Sequence, residues 1–163
     1  MISEQEYAGK RARVVTAIRS MNVADPLALE KTTSNLFRQR VQTRVHRLDL
    51  RDFNHVIRVD EREQLAEVEG LTTYEDLVRE TLPFRLMPTV VPQLKSITIG
   101  GAIAGIGIES SSFKYGFVHE TVQELEILLS DGSVVVATNE NEYSDLFFGF
   151  PNSYGTMVRG TCF

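Results

Sequence analysis

Five of the chain's eleven glycines fall in one short run, Ile97 to Gly116. Within it apolar residues alternate with glycine through Gly100-Gly101-Ala102-Ile103-Ala104-Gly105-Ile106-Gly107. A Ser110-Ser111-Ser112 triplet and Lys114-Tyr115-Gly116 then close the run. Glycine has no Cβ, so backbone there can approach a bulky neighbour closely. The run therefore limits the chain to folds that press backbone against backbone, or backbone against a large ligand. Two readings stand side by side. Gly100-Gly101 opens a short helix over Ala102 to Gly105 whose free N–H groups and dipole face an anion, or the glycines let that helix pack tightly on a sheet. There is no G-x-G-x-x-G after a strand in a βαβ unit and no Gly-Lys-Ser/Thr, so neither a Rossmann fingerprint nor a P-loop is indicated.

The flanking sequence supplies hairpins rather than βαβ units. Residues Glu4 to Met21 read as an amphipathic helix with Tyr7, Val14, Val15, Ile18 and Met21 on one face. Asn22 to Leu29 reads as a connection around Asp25-Pro26. Phe53 to Val59 and Gln64 to Gly70 read as two strands joined by the charged turn Asp60-Glu61-Arg62-Glu63. A helix over Tyr74 to Thr81 is capped by Thr72 or Thr73, with Glu75 and Asp76 in its first turn. Pro83, Pro88 and Pro92 keep the next stretch extended or turning. Thr121 to Leu129 and Val134 to Ala137 form a second hairpin across Ser130-Asp131-Gly132-Ser133, and Asp145 to Phe150 a short helix. The order is α+β.

Composition narrows the function. The 163 residues are 42% hydrophobic and 24% charged, which suits one soluble globular domain. A formal net charge of −5 argues against nucleic acid as a partner, which would need a basic face. Cys162 is the only cysteine, so no intrachain disulfide forms and a thiolate zinc site is excluded. The N-terminus lacks the basic-then-apolar order of a signal peptide. The most apolar stretch, Ile97 to Ile108, is too short and glycine-rich to span a membrane. These features lead us to expect a cytoplasmic protein.

Other clusters carry less. Thr32-Thr33-Ser34-Asn35 supplies hydroxyl and amide donors, or is an ordinary polar loop. The Ser110 to Ser112 triplet is a polar wall beside the glycines, or a solvated turn. His46, His55 and His119 have no metal-ligand spacing, so no metal site is expected. No G-x-S-x-G nucleophile elbow occurs. Asp49 with Asp52, and Glu61 with Glu63, read as solvated charges. Arg38, Arg40, Arg44 and Arg47 read as an exposed basic face, with phosphate contact by Arg38 as the sharper alternative.

Taken in order, these clusters resemble the PCMH-type FAD-binding domain of the vanillyl-alcohol-oxidase superfamily, closest to its Δ24-sterol reductase-like branch. The likeness rests on Lys31 to Asn35, Val68 to Thr73, Val91 to Gly101 and Gly105 to Gly116. It continues through Leu129 to Gly132, Ser144 to Phe147 and Tyr154 to Thr156. The resemblance implies a two-lobed α+β domain with FAD between the lobes, residues 1–92 forming about the first lobe and 93–163 the second. It implies that Thr32, Thr33, Ser34 and Asn35 hold the pyrophosphate. By the same resemblance Gly100, Gly101, Gly105, Ile106, Ser110, Ser111 and Ser112 line the pyrophosphate and isoalloxazine, and Tyr115, Gly116 and His119 make further flavin-side contacts. Covalent members attach flavin through His or Cys. Thr32 to Arg38 and Gly100 to Gly116 contain neither, so noncovalent FAD is expected.

The family continues past Gly-Thr into a further strand and a substrate-binding cap. The chain ends at Val158-Arg159-Gly160-Thr161-Cys162-Phe163, so a fragment or truncated product without the cap is expected. The implied activity is hydride transfer between a small-molecule substrate and FAD, with no nameable catalytic residue. The alternative is a noncatalytic FAD- or nucleotide-binding module that needs a partner or the cap. Apolar surface left by a missing cap would favour self-association.

Overall fold

The computed structural model describes residues 1–21, 27–31 and 46–153. The candidate loop Thr32 to Asn35, the basic residues Arg38, Arg40 and Arg44, and Tyr154 to Thr156 lie outside the described residues.

Helix α1 (Glu4–Arg19) begins where Ser3 Oγ accepts the Glu6 amide at 3.2 Å. Glu4 and Glu6 sit at its positive end and Arg19 at its negative end, as the helix dipole favours. Its inward residues, Lys10, Val14 and Ile18, recur every fourth position. Strands β1 (Leu27–Glu30) and β2 (His46–Asp49) pair in parallel, Leu27 opposite His46 through Glu30 opposite Asp49. This corrects two expectations. Leu27 to Leu29 is strand rather than connection, and the chain is not built from hairpins alone. A four-residue strand behind Asp25-Pro26 has too little alternation to announce itself, and its partner fixes it.

Strands β3 (Val56–Asp60) and β4 (Leu65–Val68) form the first hairpin, with a register shift between Val56 and Arg58. Asp60 Oδ1 accepts the Arg62 and Glu63 amides at 3.0 Å each and so shapes the turn. Helix α2 (Tyr74–Thr81) is capped by Thr73, whose Oγ1 accepts the Asp76 amide at 3.1 Å. It is followed by helix α3 (Ile99–Ala104), the one-turn helix α4 (Ser112–Tyr115) and the hairpin β5 (Glu124–Leu128) and β6 (Val134–Thr138). Gly132, at φ +79°, turns that hairpin against the Arg19 side chain. Helix α5 (Ser144–Gly149) follows. Among the described residues the strands make three two-stranded sheets.

Two apolar clusters hold these elements. One gathers Val14, Ile18, Leu48, Leu50, Phe53 and Leu128. The other joins Tyr74 and Val90 to Ala102, Ile103, Val118, Leu125, Ile127, Val135, Ala137 and Phe150. Both mix residues from before and after Pro92, and the second anchors the glycine run through Ala102 and Ile103.

Candidate functional site

Helix α3 starts one turn earlier than the glycines suggest. Thr98 caps it, its Oγ1 accepting from the Gly101 amide at 3.2 Å and its carbonyl from Ala102 at 2.9 Å. The Ile99 amide donates to Thr72 O at 2.9 Å and the Gly100 amide to Gly70 O at 2.8 Å. The donors expected to be free at Gly100 and Gly101 are therefore engaged inside the protein. A Cβ on Gly100 would stand 2.9 Å from Gly70 O, so Gly100 serves the close approach of helix to backbone. A Cβ on Gly101 would meet only Thr98 Oγ1, at 2.8 Å.

The C-terminal end of α3 differs. Gly105 is its C-cap and Ile106 turns into the left-handed region at φ +52°. The Gly107 amide reaches back to Ala102 O at 2.7 Å and the Ile106 amide to Ile103 O at 3.4 Å, the double closure of a Schellman turn. Gly107 is obligatory because a Cβ would lie 2.7 Å from Val118 Cγ2, while its carbonyl accepts the Val118 amide at 3.0 Å. That bond sets Gly105 to Gly107 beside Val118 and His119.

The chain between these points forms a small polar turn. Glu109 N donates to Ser112 Oγ at 3.1 Å, and Ser112 N to Glu109 O at 2.9 Å. Ser111 Oγ donates to Thr89 O at 2.8 Å, tying the turn to the proline-rich stretch, while Ser110 stays exposed. Gly116, at φ +80°, lets Glu120 Oε2 accept the Phe117 amide at 2.7 Å. Lys114 Nζ lies 4.8 Å from the centre of the Tyr115 ring. His119 stacks on Phe117 with ring centres 5.8 Å apart, and its Nδ1 is buried without a hydrogen-bond partner. Ile108, Phe113, Tyr115 and Phe117 point apolar surface outward. An unspent buried nitrogen, a glycine turn and outward apolar side chains fit a flat, partly polar ring system.

A second cluster was not legible in the sequence. Glu69 is fully buried, and its carboxylate accepts from Lys10 Nζ at 3.0 and 3.1 Å and from the His55 amide at 2.8 Å. His55 Nδ1 lies 3.1 Å from both Glu69 Oε2 and Lys10 Nζ. Lys10 Nζ also donates to Asp52 O at 2.6 Å. Outside this knot, Arg13, Asp49, Arg51, Asp52, Asn54 and His55 line an open groove. Arg13 is paired with Asp52 and Arg51 with Asp49, so the groove's charges are already matched. The side-chain hydrogen bonds from Arg51 hold the Asp49 carboxyl below the usual carboxylate range. The Thr73 hydroxyl, with Arg79 beside it, does the same for Asp76. Burial, aided by the nearby Glu109 charge, pushes the Tyr74 phenol up to about 12. Among the described residues no group of His, Cys, Asp and Glu is placed to hold a metal, and no helix is long and apolar enough to cross a membrane.

The scaffold and the glycine turn together define a class, and the chain belongs to the FAD binding domain family, whose model matches residues 7–138. The mixed α+β, PCMH-type architecture expected from the sequence is the one found. Among particular relatives, the chain is 46% identical over 110 residues to the Delta(24)-sterol reductase of Pisum sativum, covering 68% of this chain and 19% of that protein. It is 39% identical over 102 residues to the Delta(24)-sterol reductase of Homo sapiens, covering 63% and 20%. Cytokinin dehydrogenase 1 of Arabidopsis thaliana is 31% identical over 101 residues, covering 60% and 17%. The crystal structure of 6-hydroxy-D-nicotine oxidase from Arthrobacter nicotinovorans superposes with a TM-score of 0.78 at 18% identity, over 93% of this chain and 33% of that one, a likeness of fold. The chain thus spans about a fifth of the length of the reductases it matches.

Proposed function

We propose that this chain is the FAD-holding part of a flavin-dependent oxidoreductase that moves hydride between a small-molecule substrate and noncovalent FAD. The observation that carries the reading is the buried, unpartnered Nδ1 of His119 beside the Gly105 to Gly107 turn, in a chain of the FAD binding domain family. Bound FAD would supply the hydride chemistry, and the protein's part is to bind and orient it. In this reading Gly105, Ile106 and Gly107 give the backbone surface, and Ser110 to Ser112 the polar edge. Tyr115 and Gly116 flank the ring, His119 Nδ1 hydrogen-bonds to it, and Thr32 to Asn35 hold the pyrophosphate. Gly100, pressed against Gly70 O, and Gly101 support the turn from behind; the amides of Gly105 to Gly107 are likewise bonded within the chain, so the turn offers a close backbone surface rather than free donors. The absence of His and Cys from 32–38 and 100–116 supports noncovalent attachment.

The purified protein should be yellow, or take up added FAD, and release free flavin on heating or acid treatment. A colourless protein that takes up no FAD overturns the reading. Flavin that stays with the denatured polypeptide overturns its noncovalent part. The alternative raised by the sequence is a noncatalytic FAD- or nucleotide-binding module. Bound FAD that no hydride donor reduces would select it.

A further inference from the structure

Among the described residues four non-glycine residues have positive φ, namely Gln64, Arg85, Ile106 and Asn152. Ile106 is the β-branched one. A branched Cβ in the left-handed region crowds the following carbonyl and is disfavoured roughly tenfold or more against an extended or helical backbone. The Schellman turn that closes α3 asks for glycine at this position. The chain has glycine on both sides of it instead, at 105 and 107, and Gly107 is held there by Val118. Ile106 is partly buried and belongs to neither apolar cluster, so no core packing explains the strain. The free domain would fold better with glycine here. What Ile106 adds is a rigid aliphatic side chain next to the segment carrying the orphaned His119 nitrogen.

We infer that Ile106 is a positioning residue whose strained backbone lowers the stability of the empty domain and is repaid when a flat flavin ring packs on its side chain. The inference rests on the flavin reading above and goes further, assigning the strain a role in affinity. The FAD-induced rise in melting temperature should then be larger in the natural chain than in a relaxed variant.

The test compares the natural chain with Ile106→Gly and Ile106→Val. FAD affinity is read by quenching of flavin fluorescence, and the melting temperature is read with and without FAD. Ile106→Gly should melt a few degrees higher without FAD, since glycine relieves the turn. It should bind FAD about tenfold or more weakly. Ile106→Val keeps both the strain and a branched side chain, so it should stay close to the natural chain in both readouts. A glycine variant that melts lower without FAD, or binds FAD as tightly as the natural chain, overturns the inference. An Ile106→Gly chain that fails to fold has melted lower and overturns it in the same way. A natural chain that takes up no FAD fails one step earlier, at the flavin reading itself, and is told apart by that.

Discussion

The knot around Glu69 and the segment from Gly105 to His119 differ in how they use a buried polar side chain. Glu69 has no exposure, and its two oxygens take bonds from the Lys10 ammonium and the His55 backbone amide. In the glycine segment a buried imidazole nitrogen has no partner, an isoleucine sits in a left-handed turn and Phe113 is 91% exposed. The first region has closed the bonds of its buried carboxylate within the chain, although Asn54 Oδ1 beside it is buried without a partner. The second has bonded its backbone amides in the same way but leaves one buried nitrogen, His119 Nδ1, open. A folded domain tolerates open groups where a ligand can meet them, and it needs a closed scaffold nearby to hold them in place.

Three substitutions probe that contrast. The largest effect is expected for Glu69→Ala, which strands the Lys10 ammonium in the interior. It should cost about 3–5 kcal/mol in urea unfolding, and a cost below about 1 kcal/mol would mean the knot is not closed in solution. Gly100→Val comes next. Its side chain would press on Gly70 O, 2.9 Å from the Cβ, and should cost about 1–3 kcal/mol in the same assay. An unchanged midpoint would show that α3 can back away from residues 70–72. Phe113→Ser is the smallest, expected within about 0.5 kcal/mol of the natural chain. A loss matching that of Gly100→Val would show that Phe113 packs on something in solution and would erase the contrast.

The sequence was legible where structure is local. The hairpin around Asp60, the Thr73 cap of α2 and the Asp131-Gly132 turn each rest on side chains bonding to backbone within a few residues, and all three formed as the pattern indicates. It was illegible where partners are distant. Nothing in Glu67-Val68-Glu69-Gly70 distinguishes the exposed Glu67 from the buried Glu69, because the difference is made by Lys10, 59 positions earlier. Helix α3 shows both cases. Thr98, three residues before Gly101, is the same local cap that Thr73 makes for Asp76 and was open to reading. That Gly100's amide is taken by Gly70 was not, since it depends on the two segments meeting. The strain at Ile106 lies between, because a Gly-Ile-Gly triplet gives no hint of which of the three turns left-handed.

Helix α1 is completed late, by partners far along the chain. Tyr7 donates to Glu126 Oε1 at 2.7 Å across 119 positions, Arg11 pairs with the same carboxylate, and Val14 and Ile18 rest against Leu128. At the usual roughly 5–20 residues per second of synthesis, these partners leave the ribosome some 6–24 s after Tyr7. A 16-residue helix is marginal in water on its own. Leu48, Leu50, Phe53 and Glu69 are made within that interval and can meet α1 early, while its contacts to Glu126 and Leu128 close only when the β5–β6 hairpin arrives.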